Sequence, residues 1–231
     1  MAIALDVSDT GNVAAASSLT FSHTCTGSNL MLIVGAHAED ATTADRVVNS
    51  VTYAAVGMTK IDEQSVNGTN TSSQWYLFGP ATGANNVVIT WAGTVAAGIG
   101  VATSLTGVAQ QAPEAFAKNS GTGSSPITVT VTTVTVDAWV VDSAQIADHQ
   151  KTLTPGAGQI QLSQLSDGNL RVIATYEGPV ATPAATVMSN SWVNNNRDWA
   201  TVAAAYAEAA AGGSTQPPRS MHQFRLRRGN I

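Results

Sequence analysis

Two short segments bring histidine and carboxylate groups together along the sequence. His37-Ala-Glu39-Asp40, with Asp45 close behind, follows a predicted strand, and Asp148-His149 lies in a polar loop. A histidine beside carboxylates can ligate a divalent cation or move a proton. The spacing matches no closed metal site, and a polar loop turning over a sheet accounts for it as well. A hydrolase or lyase would need a cleft in which His37, Glu39, Asp40 or His149 converge. No Ser or Cys nucleophile stands in a recognisable setting, because the chain has no Gly-x-Ser-x-Gly, no His-Glu-x-x-His and no phosphate loop. Gly121-Thr-Gly-Ser-Ser125 is glycine-rich but leads into a strand, so it lacks the helix N-terminus that cradles phosphate. Cys25 is the single cysteine, which leaves no internal disulfide and no cysteine zinc cluster. The expectation is a protein that is not an enzyme and uses no cofactor or metal.

Composition points the same way. Charged residues are 11% of the 231, against roughly 25% in an ordinary soluble domain. The chain is 44% apolar, too much for a disordered one. A net charge of −5 argues against a general nucleic-acid binder. No continuous apolar run reaches the length of about 20 residues that a membrane span needs. Met1–Leu19 carries no Lys or Arg and is interrupted by Asp6, Asp9 and Asn12, unlike a secretory leader. The chain therefore reads as made in a cytosol, with no membrane partner.

The few charges are unevenly placed. Residues 1–212 hold six basic and fifteen acidic groups, whereas residues 213–231 hold four Arg and no acid. Gly212-Gly-Ser-Thr-Gln-Pro-Pro218 between them reads as a linker, flexible and then extended. Beyond it, Arg219, Phe224, Arg225, Leu226, Arg227 and Arg228 interleave cations with apolar side chains. Such an arm can add a strand to a neighbouring acidic subunit and pair its guanidinium groups with carboxylates, or the tail can stay disordered or fold back on its own acidic body. The five Trp residues (75, 91, 139, 192 and 199) fall on or beside predicted strands and are expected to anchor the core. Trp192 and Trp199 flank the polar loop Val193-Asn-Asn-Asn-Arg-Asp198, which makes them the candidates for an exposed ligand-stacking face if the protein has one.

The elements that must position these groups are strands. Ile127–Val136 alternates apolar residues with Thr, and its phase breaks at Thr132-Thr133, which marks a bulge or a join. Further strands are predicted at 30–36, 50–54, 58–65, 74–78, 86–91, 99–105, 138–146, 170–176, 185–192 and 200–207. They are short and separated by Gly, Pro and Asn turns, the pattern of a sandwich or barrel. Ala is the commonest residue, with 37 copies, and reads as filler between closely packed sheets.

The order of these segments runs from Asn29-Leu-Met-Leu-Ile-Val-Gly35 through Val51-Thr-Tyr53 and Met58-Thr59 to Trp75-Tyr-Leu-Phe-Gly-Pro80. It continues through Gly83 to Trp91 and Ser104-Leu-Thr-Gly-Val108 and closes with Trp199–Tyr206. Over residues 19–208 it resembles the jelly-roll-like β-sandwich modules of tailed-phage virion proteins and bacterial surface proteins. The resemblance implies an all-β, antiparallel, jelly-roll-like sandwich over residues 1–211, with a linker and basic C-terminal extended arm over 212–231. It further implies a structural virion protein, foremost a capsid decoration or cement protein assembled in the host cytoplasm. Its partners would be the major capsid protein or other virion subunits and further copies of itself, with no nucleic acid. The alternative it carries is a tail or fibre component with a receptor- or glycan-binding sandwich.

Overall fold

The computed structural model describes residues 1–66, 68–123, 125–168, 170–193 and 196–210. The predicted linker Gly212–Pro218 and the arm residues Arg219, Phe224, Arg225, Leu226, Arg227 and Arg228 lie outside them.

The fold is all-β with antiparallel sheets, as the alternation implies. In chain order the strands are β1 (Ala4–Cys25), β2 (Met31–Glu39), β3 (Val48–Tyr53), β4 (Val56–Gly57) and β5 (Thr59–Val66). There follow β6 (Asn70–Phe78), β7 (Gly83–Thr106), β8 (Ala115–Gly121), β9 (Ile127–Thr132) and β10 (Ala138–Ile146). The last five are β11 (Thr154–Pro155), β12 (Ile160–Asp167), β13 (Leu170–Val180), β14 (Ala185–Ser191) and β15 (Trp199–Tyr206).

They make three sheets. The first has the order β4-β3-β7-β2-β6-β5, with β1 also paired to β7; the second is β12-β13-β10-β15-β8; the third is β11-β14-β9. In the first sheet β7 is the pivot. Gly83–Trp91 pairs with β3 and the end of β1, whereas Ala97–Thr106 pairs with β2 and the start of β1. Between these halves the β1 register jumps from Ala16 opposite Val95 to Ser18 opposite Thr90. At such an irregularity a sheet bends sharply. The curled, barrel-like sheet encloses a core of its own that includes Leu32, Val34, Val51, Ile89 and Trp91.

The second sheet is central. Successive side chains of a strand face opposite sides. Trp139 and Val141 pack with Met31, Ile33 and Leu105 of the first sheet. Val140, Ala144 and Ile146 pack instead with Ile127, Val129, Val131 and Met188 of the third. Every residue of β10 and β15 is consequently buried. In β15, Ala200, Ala203, Ala204 and Ala205 supply the small side chains that let a strand sit between two layers, which is the filler role expected of alanine.

The structure differs from the sequence expectation in several respects. β1, β4, β8, β11 and β12 were not foreseen. Residues 86–91 and 99–105, read as two strands, belong to the single strand β7. The strand read over 127–136 stops at Thr132, where its phase breaks, leaving Val134 and Val136 exposed. The sandwich also has three layers, because a central sheet buried on both faces shows no alternation from which to count layers.

Candidate functional site

The antiparallel pairing of β10 with β15 sets Ile146 opposite Trp199. The loop after β10 must then lie beside the loop before β15, and the Ala147 amide donates to the Asp198 carbonyl (3.0 Å), extending the ladder by one step. The end of β2 meets these loops, and together they enclose a polar cleft of about 570 Å³. Glu39, Asp148, His149, Gln150, Arg197 and Asp198 line it, with Ala147 and Asn196.

Local chemistry fixes the walls. One Asp148 oxygen accepts the Gln150 amide (2.9 Å), the side-chain-to-backbone bond that Asp favours in turns. The other accepts Nε of Arg197 (2.6 Å). Burial pushes the Asp148 carboxyl up, but the Arg197 and Gln150 hydrogen bonds and the Arg197 charge outweigh it, so the group sits below the usual carboxylate range. Arg197 also donates to the Asn196 carbonyl (2.8 Å), and Arg171 holds the His149 carbonyl (2.7 Å). The Glu39 carboxylate makes no hydrogen bond or ion pair among the described residues. The cleft thus offers one unoccupied carboxylate, an imidazole and a side-chain amide on a braced frame. Those groups suit a ligand rich in hydroxyls.

The sequence candidates divide. Glu39 and His149 do share this cleft, while His37, Asp40 and Asp45 do not. The Asp40 carboxylate accepts the amides of Thr42 (2.7 Å) and Ala96 (3.1 Å) and so closes a turn. The Asp45 carboxylate lies against Gly93, where an added Cβ would come within 2.0 Å of it. His37 is sealed between the first two sheets with Nε2 2.6 Å from Oγ of Ser143. Burial lowers its pKa to about 3, so it stays neutral. Its Nδ1 is buried and has no hydrogen-bond partner among the described residues. Among the described residues no group of three or more His, Cys, Asp or Glu is placed to hold a metal ion.

Trp192 and Trp199 need correction as a stacking face. They are only 6% and 4% exposed, and they pack with Ile127, Ile146, Leu153 and Ile173 between the second and third sheets. Their indoles fill the space beneath the loop rather than projecting from it. The loop they flank does border the cleft through its polar residues 196–198. The Asp148–Arg197 pair escaped sequence reasoning, although the register Ile146–Trp199, extended by two residues on each strand, predicts it.

A second buried polar group lies on the opposite face of the central sheet. Asp142 accepts the Thr175 amide (3.1 Å) and the Thr175 hydroxyl on one oxygen and Nδ2 of Asn190 (2.9 Å) on the other. No family model matches this chain, and no curated protein matches it.

Proposed function

We propose that this chain is a structural protein of a bacteriophage virion, a decoration or cement subunit that binds the outer capsid surface and ties neighbouring subunits together. The observation that carries the reading is β1. It is 22 residues long, and among the described residues only one of its edges, that facing β7, is paired in a ladder. Exposed edges are ordinarily blunted by Lys, Pro or outward charge. β1 has no Lys, Arg or Pro, and its two carboxylates are engaged within the chain: Asp6 by Thr26 and Ser104, Asp9 by His23. An edge left this bare is suited to receiving a strand from another subunit. Many such contacts on one lattice would add by avidity, and a basic arm on an acidic body would supply register. Deleting residues 213–231 is expected to lower capsid occupancy and capsid heat resistance, measured by co-sedimentation and thermal release of packaged DNA. Unchanged values for both would remove the arm from this mechanism.

The polar cleft favours a second reading, a tail or fibre module that binds a glycan receptor. That reading expects Glu39→Ala and His149→Ala each to reduce glycan-array binding at least tenfold with folding intact. An array on which the intact chain gives no signal would count against it.

A further inference from the structure

At another end of the sandwich a pocket of about 380 Å³ opens between Ala2, Ile3, Asp137, Trp139, Pro179 and Glu208. We infer that this pocket receives the basic C-terminal segment, residues 213–231, of a second copy of this chain, so that two copies exchange arms.

The pocket has the chemistry for such a segment. Its floor is apolar and rigid: the Trp139 ring stacks on Tyr176 with centroids 4.3 Å apart and planes 1° from parallel. Its rim is acidic. Glu208 already pairs with the Met1 ammonium (2.8 Å), but Asp137 is exposed and its carboxylate makes no hydrogen bond or ion pair among the described residues. The turn leading into Asp137 adds two uncovered apolar side chains, Val134 at 62% and Val136 at 58% exposure. A carboxylate set beside apolar and aromatic surface suits a guanidinium next to a Phe or Leu, since Arg can stack on aromatic faces and pair bidentately. The segment 213–231 has that sequence, with four Arg, Phe224, Leu226 and no acidic residue.

The course of the chain identifies the donor. Glu208 bridges to Val108, Ala209 donates to the Gly107 carbonyl (2.8 Å), and the Ala209 carbonyl accepts from Met1 (2.9 Å). The described residues therefore end, at Ala210, on the wall of the pocket itself. A segment leaving from that wall reaches the same pocket on a facing copy without first turning back on itself. Exit and receptor lie side by side. A two-fold axis that sets two such ends face to face passes each arm to the other copy and leaves neither pocket empty, the closed arrangement of an isologous dimer. The inference rests on the assembly reading only in treating the arm as a protein-binding element.

The test uses the full-length chain, with mass measured by light scattering across a concentration series in low salt. The intact chain is expected to dimerise. Asp137→Arg and the triple change Arg225→Glu, Arg227→Glu, Arg228→Glu should each weaken the dimer at least tenfold. Combining the two should restore at least part of that loss. Asp137 has φ 56, so Asp137→Asn, which tolerates that backbone, is the second variant and should weaken the dimer without strain. A monomeric intact chain at all concentrations would overturn the inference. So would a dimer that neither charge reversal weakens, or a monomer whose Trp fluorescence shifts on arm reversal, which would place the arm in its own pocket. Capsid co-sedimentation of the same variants is read separately, so failure here is distinguishable from failure of the virion reading.

Discussion

Trp199→Ala is expected to lower the stability of the sandwich by about 3–5 kcal/mol, the usual cost of deleting a large buried aromatic side chain. The ring lies at the start of β15 within the cluster that joins the second and third sheets. Gly121, its partner on β8, has no side chain, and a Cβ there would come within 2.6 Å of the indole. The edge strand is therefore shaped around the ring. Urea unfolding followed by circular dichroism measures the loss as a lower midpoint at unchanged slope. An exposed stacking platform makes the opposite forecast, an unchanged midpoint with weakened glycan binding, and that outcome would overturn the buried assignment.

Asp142→Asn is expected to make the protein more stable at pH 8 and leave it nearly unchanged at pH 4. Burial raises the Asp142 carboxyl from its ordinary 3.8 to about 7, against the opposing pull of the Thr175 and Asn190 hydrogen bonds. Between these two values the unfolded chain has released the proton while the folded chain still holds it. The unfolded state then binds fewer protons, so stability falls as pH rises from about 4 to about 7 and is level above that. A shift of this size corresponds to about 4 kcal/mol across the window. Asparagine has nothing to ionise and abolishes the slope. Its Oδ1 can keep both Thr175 bonds. Its Nδ2 needs an acceptor, and Asn190 has one to offer by flipping its amide, because Asn190 Oδ1 is unpartnered. Unfolding free energies of both chains at pH 4, 6 and 8 check this. A wild-type stability that does not fall between pH 4 and 7 would sink it.

These two positions show where the sequence was readable. β10 was legible to the residue, 138–146, because Val and Trp mark a strand even when Asp142, Ser143 and Gln145 interrupt the apolar pattern. That those three polar groups would all be buried was not legible, since burial on both faces depends on a third layer. β1 was missed because a strand covered on one side only can be built from Ala, Ser, Thr and Asp without a hydrophobic stripe. Of the cleft, the residues Glu39, Asp148 and His149 were singled out, and Arg197 fell within a loop already marked. Their meeting was hidden because it depends on the β10–β15 register and not on spacing along the chain. Trp192 and Trp199 were candidates only for the case that a ligand face exists, and their burial agrees with the core placement expected of most Trp residues: polar neighbours in sequence say nothing of the direction in which a ring points.

The pairing of β1 also bears on how the chain acquires its structure. Ala4 lies opposite Thr106, and among the described residues β1 has no other ladder partner. During synthesis the C-terminal end of β1 must wait for Gly83, opposite Cys25, and its N-terminal end for Thr106, opposite Ala4. Contacts this distant along the chain slow folding, because loop closure must precede any gain from pairing. Throughout that interval a long, weakly charged strand stands with both edges open, the state most prone to association between nascent chains.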